Sequence, residues 1–243
     1  MIFKNTHFPF RSVLTLCLFI SSLSSPVFAQ KPKPVYEIAV RMVKKGKKED
    51  FAHQRTGFIK LLKKQAGIGP IREFQSFDAL PNPDKRPVFI GITKYANLET
   101  VSNVSKKIMP RLMQFTQTMD LKAYVFAMLI EDKRFNLKKL AAKKGQVLEI
   151  AIRRIKKGQN KAFQETRKAY LNYLRKQKGV LGSWEFAVVG GRNRERLTVD
   201  LSVYKNKKIW TQIAKRTQAS PLATQYLSTF DPVMVQYATK VQE

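Results

Sequence analysis

YEIAVRMVKKGKKEDFAHQRTGFIKLLKKQAGIGPIREF, residues 36–74, returns at residues 148–186 as LEIAIRRIKKGQNKAFQETRKAYLNYLRKQKGVLGSWEF. The two stretches align without a gap at an offset of 112, and 15 of 39 pairs are identical. The identities include Glu37/Glu149, Arg41/Arg153, Gly46/Gly158, Phe51/Phe163, Arg55/Arg167, Gly67/Gly179 and Phe74/Phe186. The match resumes at Thr93–Tyr95 against Ser202–Tyr204, and at Phe115 and Asp120 against Tyr226 and Asp231. Chance does not produce an ungapped match of that length, so the chain is one unit of about a hundred residues written twice.

Each copy predicts the same elements. An alternating strand (Tyr36–Val43, Val147–Ile155) leads through a KKG turn to an amphipathic helix on Phe51, Phe58, Leu61 and Leu62, or on Phe163, Tyr170 and Leu174. Gly67 and Gly179 stand where a helix should stop. A hairpin follows: Ile71–Phe77 with Val88–Tyr95, and Ser183–Val189 with Arg196–Tyr204. A second helix is expected at Leu98–Thr118 and Lys207–Ser228, interrupted by Pro110 and Pro221, and a last strand at Lys122–Ile130 and Val233–Lys240. The order β-α-β-β-α-β is the ferredoxin-like arrangement, an α+β class. Helices cover one sheet face, and the bare face of each copy needs a partner. The other copy is the natural one, which predicts a monomeric, intrachain pseudo-dimer with a candidate pocket between facing sheets.

Outward from the repeat, the first 29 residues read as a secretory leader. Lys4 and Arg11 precede a short apolar stretch, Val13–Leu23, and small residues at Val27 and Ala29 favour cleavage before Gln30. Cys17 follows the bulky Leu16, which argues against a lipoprotein signal, and cleavage leaves no cysteine. The expected organisation is a leader at 1–29, a first repeat at 30–130, a linker at Glu131–Gln146 and a second repeat at 147–243. No later apolar run approaches the ~20 residues of a spanning helix, so a periplasmic or secreted protein is expected. The mature chain carries 44 basic against 17 acidic residues. Such a field favours anionic partners. Export argues against nucleic acid and in favour of envelope polymers or lipid headgroups; a merely solvated surface is the plain alternative.

Strand parity sorts the sheet residues. Ile38, Val40, Ile150 and Ile152 form an apolar set, continued by Val88, Ile90 and Ile92 and by Leu197, Val199, Leu201 and Val203. This set is expected beneath the helices. The opposite set holds Glu37, Arg41, Glu73, Thr93 and Tyr95 in the first copy, and Glu149, Arg153, Glu185, Asp200, Ser202 and Tyr204 in the second. These residues are the candidate lining of a ligand cavity, where a buried carboxylate could act as a base. Glu and Arg four residues apart on one strand stand about 13 Å apart, so any pairing must run across strands. No P-loop, GxSxG or dinucleotide fingerprint is present, and no cysteine–histidine cluster offers a metal site.

Element order, copy length and the strand–KKG–helix opening resemble the dimeric α+β barrel proteins, and more narrowly the antibiotic-biosynthesis-monooxygenase-like domains fused in tandem. The resemblance implies a barrel and a small aromatic or quinol-like ligand, bound and in some members oxidised or isomerised without a metal or other cofactor. Its haem-degrading branch uses a histidine ligand. His53, the only histidine after the leader, falls out of step with the apolar face of its helix. Two functions stay open: a small-molecule binder or enzyme, and a non-enzymatic basic envelope protein. The catalytic residues stay unassigned.

Overall fold

The computed structural model describes residues 33–80, 85–130, 134–191 and 195–241. The expected leader and its cleavage point lie outside the described residues. The elements are β1 (Val35–Val43), α1 (Lys48–Lys63), β2 (Ile68–Leu80), β3 (Val88–Tyr95), α2 (Leu98–Thr116) and β4 (Met119–Leu129), then β5 (Val147–Ile155), α3 (Asn160–Arg175), β6 (Val180–Gly191), β7 (Leu197–Tyr204), α4 (Lys207–Gln218), α5 (Pro221–Leu227) and β8 (Phe230–Lys240). The fold is α+β, two ferredoxin-like repeats in one pseudo-dimeric α+β barrel, with the closed strand order β1-β3-β2-β8-β5-β7-β6-β4.

Local chemistry explains the element ends. Gly46 and Gly158 take φ of +73° and +79° in the KKG turns, and Gly67 and Gly179 take +78° and +97° after the first helix of each copy. Those are left-handed conformations that a Cβ disfavours. Asn97 and Asn206 cap the second helices by accepting the amide hydrogens of Thr100 and Ile209. The two prolines behave differently. Pro110 lies within a continuous α2, held by Ile108 and Phe115 buried on either side. Pro221 stands at the first turn of a new helix, because Ser220 before it is extended at ψ 123°. The expected interruption therefore occurs only in the second copy.

The hairpin strands are longer than expected: β2 runs to Leu80 and β6 to Gly191. Their ends are paired, which keeps them extended. The chain forms two compact units, and Phe74–Leu80 belongs to the second unit, where it is antiparallel to β8. The tip of β6 from Val189 belongs to the first, where Gly190 and Gly191 lie close against Phe126 and the Tyr124 carbonyl of β4. Residues 135–141 are packed: Leu137, Leu140 and Ala141 are buried, and the Phe135 ring lies 5.2 Å from Trp184 and 5.1 Å from Phe186.

The sheet faces are reversed from expectation. In the first unit, Val35, Val43, Tyr95, Phe126 and Phe89 pack with Phe51, Phe58, Val101, Ile108 and Phe115 of α1 and α2. Cross-strand register puts Glu37 opposite Thr93 and Arg41 opposite Phe89 on that same face. The second unit repeats this, with Val147 and Tyr204 against Leu174 and Ile213, and Ile155 against Phe163 and Tyr226. So the polar set lies beneath the helices. Ile38, Val40, Ile90, Ile92, Ile150, Ile152, Val199 and Leu201, with Phe74 and Phe186, are buried on the side turned away from them. The physical reason is that β1 is buried at all nine positions. Both faces are covered, and an eight-stranded closed sheet has an interior just wide enough for side chains to fill. Branched aliphatics suit that space, and the longer polar side chains go to the helix side.

Candidate functional site

Each unit holds a polar cluster beneath its helices. In the first, Glu37 Oε2 accepts the Tyr95 hydroxyl at 2.6 Å and the Tyr124 hydroxyl at 3.2 Å. Burial pushes the Glu37 carboxyl above its ordinary pKa, against the lowering effect of the Tyr95 hydrogen bond. Arg41 Nη2 donates to Glu73 Oε1 at 2.7 Å, and its guanidinium lies 5.6 Å from the Phe115 ring centroid. Thr93 is buried beside Glu37. The ion pair passes over Gly91, where a Cβ would fall on the Arg41 guanidinium and the Glu73 carboxylate. Gly91→Ala is therefore expected to cost about 1–3 kcal/mol, read as a lower urea midpoint; no change would mean that the pair moves aside freely.

The second copy departs from this plan at four positions, one of them the exchange of Thr93 for Ser202. Asp200 replaces Gly91, since Ala39 faces Gly91 and Ala151 faces Asp200. Tyr226 replaces Phe115 in the repeat. Val235 replaces Tyr124, facing Ala151 as Tyr124 faces Ala39. Arg153 consequently meets two carboxylates: Glu185 Oε2 at 3.4 Å and Asp200 Oδ1 at 3.7 Å. It also donates to the Tyr226 hydroxyl at 2.9 Å, which donates in turn to Glu185 Oε2 at 3.3 Å. Ser202 donates to Asp200 Oδ1 at 3.0 Å and lies 2.8 Å from the Ser183 hydroxyl. Glu185 and Asp200 are directly paired across β6 and β7 and almost wholly buried. Each keeps one oxygen, Glu185 Oε1 and Asp200 Oδ2, without a hydrogen-bond partner.

Glu149 is the second copy's counterpart of Glu37. Its Oε2 accepts one hydroxyl, from Tyr204 at 2.9 Å, because Val235 has no hydroxyl to give. Protein surrounds the carboxyl, yet the residue keeps partial contact with solvent, whereas Glu37 is sealed at 7% exposure. Burial raises the Glu149 pKa to about 7, and the charge of Asp200 adds to the rise. Burial likewise lifts Glu185 to about 7, against the pull of Arg153. Tyr170 of α3 stacks on Tyr226 at 4.7 Å and is raised by burial and by the charges of Glu149 and Asp200.

The expected site residues thus gather as two groups: Glu37, Arg41, Glu73, Thr93 and Tyr95 in one unit, and Glu149, Arg153, Glu185, Asp200, Ser202 and Tyr204 in the other. Arginine–carboxylate pairing runs across strands, as the strand spacing requires. Sequence reasoning missed Tyr124, Tyr170, Ser183 and Tyr226. Tyr226 was findable as a tyrosine aligned with Phe115; the others needed the register. Among the described residues no three His, Cys, Asp or Glu side chains are placed to hold a metal ion. His53 is exposed on α1, so the residues present do not fit a histidine-ligated haem.

The chain matches no family model and no curated protein sequence. Its fold is well represented among solved structures. A candidate monooxygenase of Fusobacterium nucleatum superposes with a TM-score of 0.60 at 12% identity, over 88% of this chain and 94% of that one. An anthrone oxidase-like protein gives 0.59 at 10% identity, over 89% and 95%. A chlorite dismutase variant of Candidatus Nitrospira defluvii gives 0.56 at 10% identity, over 88% and 92%. The chain therefore shares the α+β barrel fold of these structures. At these identities the likeness speaks for the fold alone.

Proposed function

We propose that this is an exported protein that binds a small aromatic or quinol-like molecule at the helix-covered cluster of its second copy and moves a proton there through Glu149. The observation that carries this reading is the contrast between the two glutamates. Protein surrounds both carboxyls, but Glu37 is held by two phenols, whereas Glu149 is held by one, belongs to a residue with partial solvent contact, and has its pKa raised to about 7. A base of that kind is suited to take a proton from a phenol or an activated CH₂ group at neutral pH. The anion so formed is the species that dioxygen oxidises.

The test is oxygen uptake by the protein lacking residues 1–29, in air, with hydroquinone and with anthrone. The unsubstituted protein should accelerate uptake, and Glu149→Gln should lower that rate about a hundredfold or more. Glu37→Gln, checked for folding by circular dichroism, should leave it nearly unchanged. Equal rates for Glu149→Gln and the unsubstituted protein would remove Glu149 from the reaction. A second reading, an envelope protein that binds anionic polymers without catalysis, is supported by the excess of 44 basic over 17 acidic residues.

A further inference from the structure

The second unit carries an aromatic group that the proton-transfer reading does not use. Trp210 of α4 stands 4.4 Å from Tyr237 of β8, ring centroid to centroid, and 6.0 Å from Phe77 of β2, edge-on. Phe77 is 38% exposed, and the Lys207 ammonium lies 4.8 Å from its ring centroid. Trp210 and Tyr237 keep partial solvent contact.

The first unit shows what these positions need for folding alone. Val101 stands at the place of Trp210, four residues after the capping asparagine in each helix, and is 1% exposed. Phe126 stands at the place of Tyr237, facing Glu37 as Tyr237 faces Glu149, and is 3% exposed. Val189 stands at the place of Phe77. In the first unit Val101 and Phe126 belong to the core around α1 and α2, and Val189 packs, partly buried, against it. The same fold is thus satisfied by a smaller, less exposed set. The second unit has a larger set that is more open to solvent.

Charge is also one-sided there. Lys205, Lys207, Lys208, Lys215 and Arg216 are exposed along Lys205–Ser220, and that stretch contains no acid. The α1 surface, by contrast, mixes its lysines with Glu49 and Asp50. Flat half-exposed rings beside uncompensated ammonium groups suit a ligand with both flat apolar faces and negative charges. Insertion into lipid would want several apolar side chains on one face. The other exposed large apolar residues, Leu181, Leu227 and Val233, lie on different elements.

We infer that the Phe77–Trp210–Tyr237 platform, with Lys207, is a binding surface for an anionic polysaccharide. Sugar rings lie on the aromatic side chains, and the acidic groups of the chain meet the lysines and draw Lys207 off the Phe77 ring. Tyr237 is the cross-strand neighbour of Glu149, so this surface borders the proposed proton-transfer site, and the measurements that test it read binding rather than oxygen uptake.

Trp184 and Trp210 are the only tryptophans of the chain, so Trp184→Phe leaves Trp210 as sole reporter. Dextran sulfate is the probe and neutral dextran the blank. Dextran sulfate should shift the Trp210 emission; neutral dextran should not. If Trp184→Phe fails to fold, Trp210→Phe serves instead and should abolish the shift seen in the unsubstituted protein. Phe77→Ser should weaken dextran sulfate binding about fivefold. Lys207→Gln should weaken it further and flatten its dependence on salt, while Lys60→Gln with Lys63→Gln on α1 should change neither. An unmoved Trp210 emission, or equal weakening by the α1 pair, would overturn the assignment. So would tighter binding, with the same emission shift, by phosphatidylglycerol vesicles or oligothymidylate.

Discussion

Replacing Arg153 by methionine should destabilise the protein by about 3–5 kcal/mol at neutral pH, and acidification should restore part of the loss. Arg153 touches Glu185 and Asp200 with its guanidinium and covers the Tyr226 and Phe230 rings at 5.3 and 5.0 Å. Methionine keeps much of the stem's packing but leaves two almost fully buried carboxylates without their nearest cation. A buried charge stripped of its partner costs far more than the pair itself contributes. The carboxylates can escape that cost by taking up protons, so the variant should lose least where they are protonated. Arg41→Met is the internal control. Arg41 meets a single carboxylate, Glu73, and that residue is 11% exposed at its side chain, so the smaller loss is expected there. Urea unfolding of both variants at about pH 5 and pH 7 decides it. Equal losses at the two sites, or a loss at Arg153 that ignores pH, would mean that the cluster is not held by charge.

The repeat made the element order readable, because two copies of each turn and cap constrain the reading twice. Gly46 with Gly158 and Gly67 with Gly179 act in the structure as their pairing suggests. Facing was not readable. Alternation along β1 says that Glu37 and Ile38 lie on different faces, but not which face the helices cover, and burial on both sides removes the usual polar-outward cue. The polar set tolerates a place under the helices because each member has a polar partner there for at least one of its atoms: phenols donate to glutamates, and arginines bridge carboxylates and lie against rings. The two ends of β2 and β6 were underestimated for a related reason. Their partners, β8 and β4, lie far away in the chain, where no local pattern reports them. The second copy's difference was visible only in outline. Asp200 and Tyr226 could be seen to depart from Gly91 and Phe115, but their meeting at Arg153 depends on register.

The same cluster should give the protein a stability profile opposite to that of carboxylates held in ion pairs. Glu149 and Glu185 each sit at about 7 in the folded protein, against an ordinary value of 4.5, and Asp200 and Glu37 are raised as well. Between those values the folded chain binds more protons than the unfolded chain, so stability falls as pH rises. The contribution is complete below the unfolded value and is lost as pH climbs through about 7. Each of the two shifts to about 7 corresponds to on the order of 3 kcal/mol, and their shared charge field keeps them from adding in full. Self-repulsion works the other way. The chain is strongly basic, and protonating surface acids adds to its positive charge. High salt screens that exposed term while leaving the buried one largely intact. In high salt, the urea midpoint should therefore fall between about pH 5 and pH 8. Glu185→Gln should flatten the fall by removing one titrating group and by lowering the proton affinity of Asp200, its paired neighbour. A midpoint that rises over that range, as paired surface carboxylates would give, would show that the buried acids are ionised at neutral pH and that Glu149 is no base poised there.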